Sequence, residues 1–227
     1  MNNPVTADPS NSRGDLIFVL LALGFVSLWI IVNSRFDTGW ITGVLLTSIV
    51  LGALMVYVLR TSNDLLGKFM LFGLAAGTTE LLADRWLIIG TKTLFYEKHE
   101  PLLIASPVYM PAAWAVVLVL IGYLGYRAAQ RWGMGHATWM CGLMGGLVIP
   151  VYESCAKGAG WWYYEDLRRI IWNTPYYIIL GEFLLALALP MLLSRCDRRA
   201  FYWSLPIGVL MGLWIWLSYK LAFGLLG

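Results

Sequence analysis

Four acids stand inside apolar runs of this chain: Glu80, Asp84, Glu153 and Glu182. A charge at the centre of a bilayer costs about 2.5–3.5 kcal/mol on insertion scales, so an acid kept there faces a cavity or a partner. Glu80 and Asp84 are one helical turn apart and share a face. Glu153 lies near the end of its run and Glu182 near the start of the next. Runs of alternating direction place all four in the same half of the membrane. A carboxylic acid holding its proton in an apolar interior can act as a general acid. Glu80 and Glu153 are the candidate donors, with the other of the two, or Asp84, taking a proton back or orienting water. The competing account is ion pairing: Glu80 or Asp84 with Arg85 or Lys157, and Glu182 with Lys157 or Arg169.

Aromatic residues crowd the same level. They are Trp86, Phe95, Tyr96, Tyr109, Trp114, Trp161, Trp162, Tyr163, Tyr164, Trp172, Tyr176 and Tyr177. An interfacial belt accounts for many of them. The run Gly160 to Tyr164 is denser than a belt requires, and aromatic faces attract cations. An acid beside a wall of π-faces suits protonation of an alkene or epoxide and shelter of the resulting carbocation. Of the aromatics, all but Phe95 and Trp172 are the candidate substrate-binding residues, together with Glu182 and Asn173.

The elements that must position these groups are transmembrane helices. Apolar residues make up 59% of the 227 and charged residues 13%, against about 25% charged in soluble domains. Mean hydropathy is +0.70. Seven runs approach the roughly 20 residues that cross a hydrocarbon core: Leu16–Val32, Trp40–Leu59, Leu65–Ile89, Pro107–Tyr126, Gly135–Cys155, Tyr176–Leu193 and Phe201–Leu225. The expected fold is all-α: a seven-helix bundle over residues 15–227 behind a polar leader, 1–14, with the lipid bilayer as its surroundings. Tight basic loops, with Arg13, Arg60, Lys68, Arg127, Arg131, Arg195, Arg198 and Arg199, put the amino terminus in the cytoplasm by the positive-inside rule, and a bacterial inner membrane is expected. A net charge of +3 gives no reason to expect a nucleic-acid partner. Cys141, Cys155 and Cys196 form no CxxC pair and predict no disulfide framework. Two histidines, His99 and His136, are too few for a histidine-rich di-iron site. No nucleotide loop and no Asp-rich prenyl-transfer motif occurs, so no metal or redox cofactor is expected.

Spans 3–4 and 5–6 read as two copies of one unit. Each has an intramembrane acid (Glu80, Glu153), an aromatic pair (Phe95-Tyr96, Tyr163-Tyr164) and a proline-opened helix (Pro107, Pro175). Copies running in one direction predict a shared site between them.

The stretch Glu80…Thr93-Leu-Phe-Tyr96…Pro107-Val-Tyr-Met-Pro111-Ala-Ala-Trp114 resembles the first half of bacterial and archaeal carotenoid hydratases. Gly160-Trp-Trp-Tyr-Tyr164…Asn173-Thr-Pro-Tyr-Tyr177 is similar to their second aromatic loop. The match spans about 78–190. It departs from the family where loop glycines are missing around Phe95 and where Ala105-Ser106 precedes Pro107. In length and span number the chain looks more like the small integral-membrane terpene cyclases of meroterpenoid pathways. Both resemblances imply an isoprenoid substrate and acid-initiated carbocation chemistry. An aromatic surplus over neutral polar groups, chiefly Asn173 and Thr174, leans toward a cyclase, which must exclude water. A hydratase is the alternative. A proton-coupled transporter is the reading from another class. Ala83-Asp-Arg-Trp86 with Lys220 invites a retinal protein, but no acid lies one turn before Lys220.

Overall fold

The computed structural model describes residues 9–97, 99–165 and 170–227, with side chains from residue 13 onward. Helix α1 spans Pro9–Asn33, α2 Trp40–Thr61, α3 Asp64–Arg85, α4 Met110–Trp132, α5 Met134–Gly158, α6 Tyr176–Asp197 and α7 Ser204–Leu226. All seven are long and apolar enough to cross a membrane. The chain is an all-α, multi-pass membrane protein. Helices suit that setting because each satisfies its own backbone groups. The short connections carry the stop and start signals. Asn63 caps α3 by accepting the Leu66 N–H at 2.9 Å, which satisfies one of the free donors of the first turn. Gly133, at φ 85°, ends α4 and opens α5.

The core is formed by α3–α7, with α3 packed on α4 and α7, and α6 packed on α5 and α7. Helix α1 lies more loosely against α4 and α5, and α2 against α4 and α3, and many of their apolar residues, Leu21, Leu28 and Leu59 among them, are exposed. The far ends of α3 and α5 run into two long connections that form a folded outer layer. Its described residues form a π-helical turn, Trp86–Thr91, and the short strands β1 Leu94–Tyr96, β2 Leu102–Leu103, β3 Ser106–Pro107, β4 Trp162–Tyr164, β5 Ile170–Ile171 and β6 Thr174–Pro175.

These strands show the internal repeat directly. β2–β3 and β5–β6 are matching hairpins, with Leu103 opposite Ser106 and Ile171 opposite Thr174. Each turns through a left-handed residue at the same place, Ile104 (φ 65°) and Trp172 (φ 55°). β1 pairs antiparallel with β4, Phe95 facing Tyr163. A two-fold relation between copies demands that pairing. A further left-handed residue precedes each of these strands, Lys92 (φ 58°) and Gly160 (φ 70°).

The first copy holds one extra residue at the end of its first helix. The closing bond there runs from Thr93 N–H to Leu87 O, one residue longer than the bond from Trp161 N–H to Ala156 O. The π-helical turn absorbs the insertion, as such turns do at functional sites. Leu87 therefore matches Ala156, and three residues upstream Asp84 matches Glu153. This corrects the expectation that Glu80 and Glu153 are equivalent: Glu80 aligns with Ile149.

Other boundaries also shift. Pro107 opens no helix; it closes a hairpin, and α4 begins at Met110 with Pro111 in its first turn, where a missing N–H costs nothing. The aromatic loops contain paired strands, because buried backbone groups at this depth need partners. Helix α1 begins at Pro9, inside the stretch read as a polar leader.

Candidate functional site

The four acids come from three helices and converge at one level. Glu80 and Asp84 lie on the last turns of α3, Glu153 on the last turns of α5, and Glu182 on the second turn of α6. Glu80 is 0% exposed, and Asp84 and Glu153 are each 5%. They interact as a group: Glu80 with Asp84 and Glu182, and Glu153 with Glu182 and Asp84. Among the described residues no Lys or Arg pairs with any of them, the ion pair there being Lys68–Asp64 at 2.8 Å. Arg85 and Lys157 point to the exterior, so the ion-pair account of these acids fails for both. Arg169 lies outside the described residues.

Each acid except Glu80 has an aromatic donor. Tyr96 donates its hydroxyl to Asp84 Oδ2 at 2.6 Å. The Trp162 indole N–H reaches Glu153 Oε2 at 2.5 Å, and the hydroxyl of Tyr164, the counterpart of Tyr96, also interacts with Glu153. The Tyr219 hydroxyl donates to Glu182 Oε1 at 2.6 Å. Glu80 has no such donor, and its buried carboxyl faces that of Asp84. The outer layer explains the pattern: β1 and β4 are laid across the ends of α3 and α5, so the equivalent tyrosines each turn down onto their own copy's acid. Burial among these carboxyls raises the hydroxyl pKa of both Tyr96 and Tyr164, so both remain proton donors.

Several predicted site residues join this centre. Trp162 and Tyr164 are buried against it. Tyr177 is 1% exposed, its hydroxyl 2.7 Å from Thr93 Oγ1. Asn173 donates to the backbone oxygen of Glu153 at 3.4 Å. Tyr163 stacks on Phe95 with ring centroids 5.6 Å apart. Trp161 bonds Thr42 Oγ1 at 3.0 Å and ties the layer to α2. Tyr109 lines a small cavity of ≈ 40 Å³ between α1, α2, α4 and α5, and Trp162 lines it too.

Others do not join it. Tyr176 faces outward into an apolar groove of ≈ 450 Å³ beside Ile171 and Phe183. Trp86 packs edge-on against Phe223, 5.4 Å between centroids. Trp114 covers Gly77 at the α3–α4 contact. Trp172 is 71% exposed at its hairpin tip. Lys220 is exposed and lies over the Trp216 ring at 4.7 Å, so it offers no retinal attachment inside the bundle.

Sequence reasoning missed Tyr219, Tyr152 and Ser106. Tyr219 comes from α7, which carries no acid, and only the fold brings it to Glu182. Tyr152 precedes Glu153 by one residue and interacts with it. Ser106, the counterpart of Thr174, is fully buried and lies near Asp84. Neutral polar groups are thus more numerous here than the sequence suggested.

No curated protein and no solved structure matches the chain. A family model, Domain of unknown function (DUF6989), matches residues 81–226. That range takes in Asp84, Glu153, Glu182, both hairpins and α7. It leaves out Glu80, α1 and α2. Covering well over half of the chain, the match shows that the protein belongs to the DUF6989 family.

Proposed function

We propose that the protein is an integral-membrane enzyme that protonates an alkene or epoxide of an isoprenoid and guides the carbocation that follows, with terpene cyclisation the preferred outcome. One observation carries this reading: four carboxyl groups gather in an apolar interior with tyrosine and tryptophan donors and, among the described residues, no cationic partner. Uncompensated buried charge is costly. A cluster of this kind is suited to holding and passing protons.

In the reaction, a carboxyl O–H of Glu80 or Glu153 breaks and its proton forms a C–H bond at the alkene. The π pair is consumed, and a tertiary cation remains on the adjacent carbon. Tyr164, Trp162 and Tyr177 present aromatic faces or edges near that centre, and such faces stabilise cations. In a cyclase a second alkene closes on the cation, and a C–H proton is finally lost to a carboxylate, with Asp84 the suited acceptor. The proton count is unchanged over the cycle.

A hydratase is the second reading, favoured by the buried Ser106, Asn173 and Thr174, which offer groups to hold a water. Membranes containing the protein are incubated with linear isoprenoids in oxygen-18 water. A new ring without label supports the cyclase. Label in a tertiary alcohol, with ring count unchanged, overturns it in favour of the hydratase. Absence of any product, with proton-gradient-dependent flux of a small molecule in liposomes, replaces the enzyme by a transporter. We place the amino terminus in the cytoplasm of a bacterium, the outer layer and its acids then lying toward the opposite face; the tight basic loops after α2, α4 and α6 support this orientation.

A further inference from the structure

We propose that Glu100 and Tyr109 form a proton path joining the water phase at the outer layer to the buried acids. The proposal rests on the reading of those acids as proton-transfer groups.

Both residues are buried, and neither polar group finds a side-chain partner. Glu100 is 7% exposed and Tyr109 8%. No side chain bonds the Glu100 carboxyl, which has only the backbone of Glu97 beside it, and the Tyr109 hydroxyl makes no hydrogen bond. An unsatisfied buried polar group is costly and calls for an explanation. The fold does not impose this one. Tyr177, the counterpart of Tyr109 in the second copy, satisfies its hydroxyl on Thr93.

Their position suggests a route. Glu97 is exposed at the surface and accepts the Trp40 N–H at 3.1 Å. It adjoins Glu100. Tyr109 lies within the electrostatic reach of Glu100 first, then of Tyr152 and Asp84. Tyr109 lines the cavity of ≈ 40 Å³, whose wall also includes Tyr152 and Trp162. A water takes up about 30 Å³ of liquid volume, so the cavity has room to bridge the tyrosines. Tyr152 interacts with Glu153, and Trp162 is bonded to it. The order is therefore water phase, Glu97, Glu100, Tyr109, cavity, Tyr152, Glu153.

Each transfer is a proton hop. A bridging water takes the proton as the Glu100 O–H breaks and gives one of its own to the Tyr109 oxygen, while the phenol's proton moves to the next oxygen. Charge returns to its starting place once Glu97 re-supplies Glu100 from water. Burial, with Glu97 beside it, raises the Glu100 pKa from 4.5 to about 8, so it carries a transferable proton at neutral pH. The groups facing it are Glu97 and Tyr109; His99 is exposed, and Lys98 lies outside the described residues.

The test follows the protonated-carboxyl C=O stretch by infrared spectroscopy on the full chain in lipid as H2O is exchanged for D2O. The bands are assigned by Glu80→Gln, Asp84→Asn and Glu153→Gln. In the unsubstituted protein these bands shift promptly on exchange. In Glu100→Gln and in Tyr109→Phe, each checked for an unchanged melting temperature, the shift slows by more than an order of magnitude. Two variants at separate sites guard against one failing to fold. Prompt exchange in both overturns the path and leaves the general-acid reading standing. The absence of any protonated band from the buried acids overturns both.

Discussion

Phe95 and Tyr163 stack with their ring centroids 5.6 Å apart and their planes inclined by 17°, at the point where β1 and β4 face each other across the two copies. They are equivalent residues, so the contact lies on the two-fold relation itself and joins the layers that carry Tyr96 and Tyr164 to their acids. An aromatic pair contributes about 0.5–1.5 kcal/mol beyond its area. Phe95→Ala should therefore lower the melting temperature in detergent or lipid and, with it, turnover. Phe95→Tyr, which keeps the stack, should restore both. If the alanine variant melts and turns over like the parent, the junction does not hold the two layers in place.

Equivalence of Asp84 and Glu153 predicts paired behaviour of their amide variants. Loss of a proton-transfer group lowers rates by about 10²–10⁴-fold. Asp84→Asn and Glu153→Gln should each lose turnover by that order while melting close to the parent, because an amide keeps the volume and still accepts from Tyr96 or Trp162. Glu80→Gln should abolish turnover as well if Glu80 is the donor. Turnover by Glu80→Gln with loss in the other two would assign donation to Glu153. Full activity in both Glu80→Gln and Glu153→Gln would falsify the mechanism.

The Glu100 carboxyl titrates at about 8 in the folded protein against an ordinary 4.5. Between those values the unfolded chain has released a proton that the folded chain keeps, so stability falls as pH rises through that window. Above it the loss is complete. Melting temperature measured from pH 5 to pH 8 should decline, and Glu100→Gln should flatten the decline by removing the titrating group. An unchanged slope in the variant would assign the decline to other groups.

The number of helices was legible because each span is a long apolar run, and the repeat was legible because Tyr96 and Tyr164, and Pro107 and Pro175, recur in order. The alignment of the acids was not. A single inserted residue in the π-helical turn moves Asp84 rather than Glu80 into register with Glu153, and only the backbone bonds from Thr93 and Trp161 reveal it. Depth along a helix is readable from residue counting, so the four acids could be brought to one level from sequence. Direction around the helix axis was harder to read: Tyr176 and Tyr177 are neighbours in the chain, yet one faces the outer groove and the other Thr93. Tyr219 and Glu100 escaped notice because neither sits in a motif. Their importance arises from contacts between distant segments.

Tyr219 joins α7 to α6. Its hydroxyl is a donor to Glu182 at 2.6 Å, and its ring packs on Gly181, where a side chain would collide with it. The residue therefore fastens α7 to α6 beside the acid cluster. Removing one partner of a buried hydrogen bond costs about 1–3 kcal/mol, since the other is left unsatisfied. Tyr219→Phe keeps the ring and removes only the donor, so it should destabilise the protein by that amount. Tyr219→Phe with Glu182→Gln should cost less than the sum of the two, as expected for residues in direct contact. Activity separates two roles for the pair. If Glu182 only closes the helix contact, turnover at saturating substrate stays near the parent level in Tyr219→Phe below its melting temperature. If Glu182 takes part in proton transfer, turnover falls while KM is little changed. Additive melting shifts in the double variant would show that the 2.6 Å contact carries no coupling.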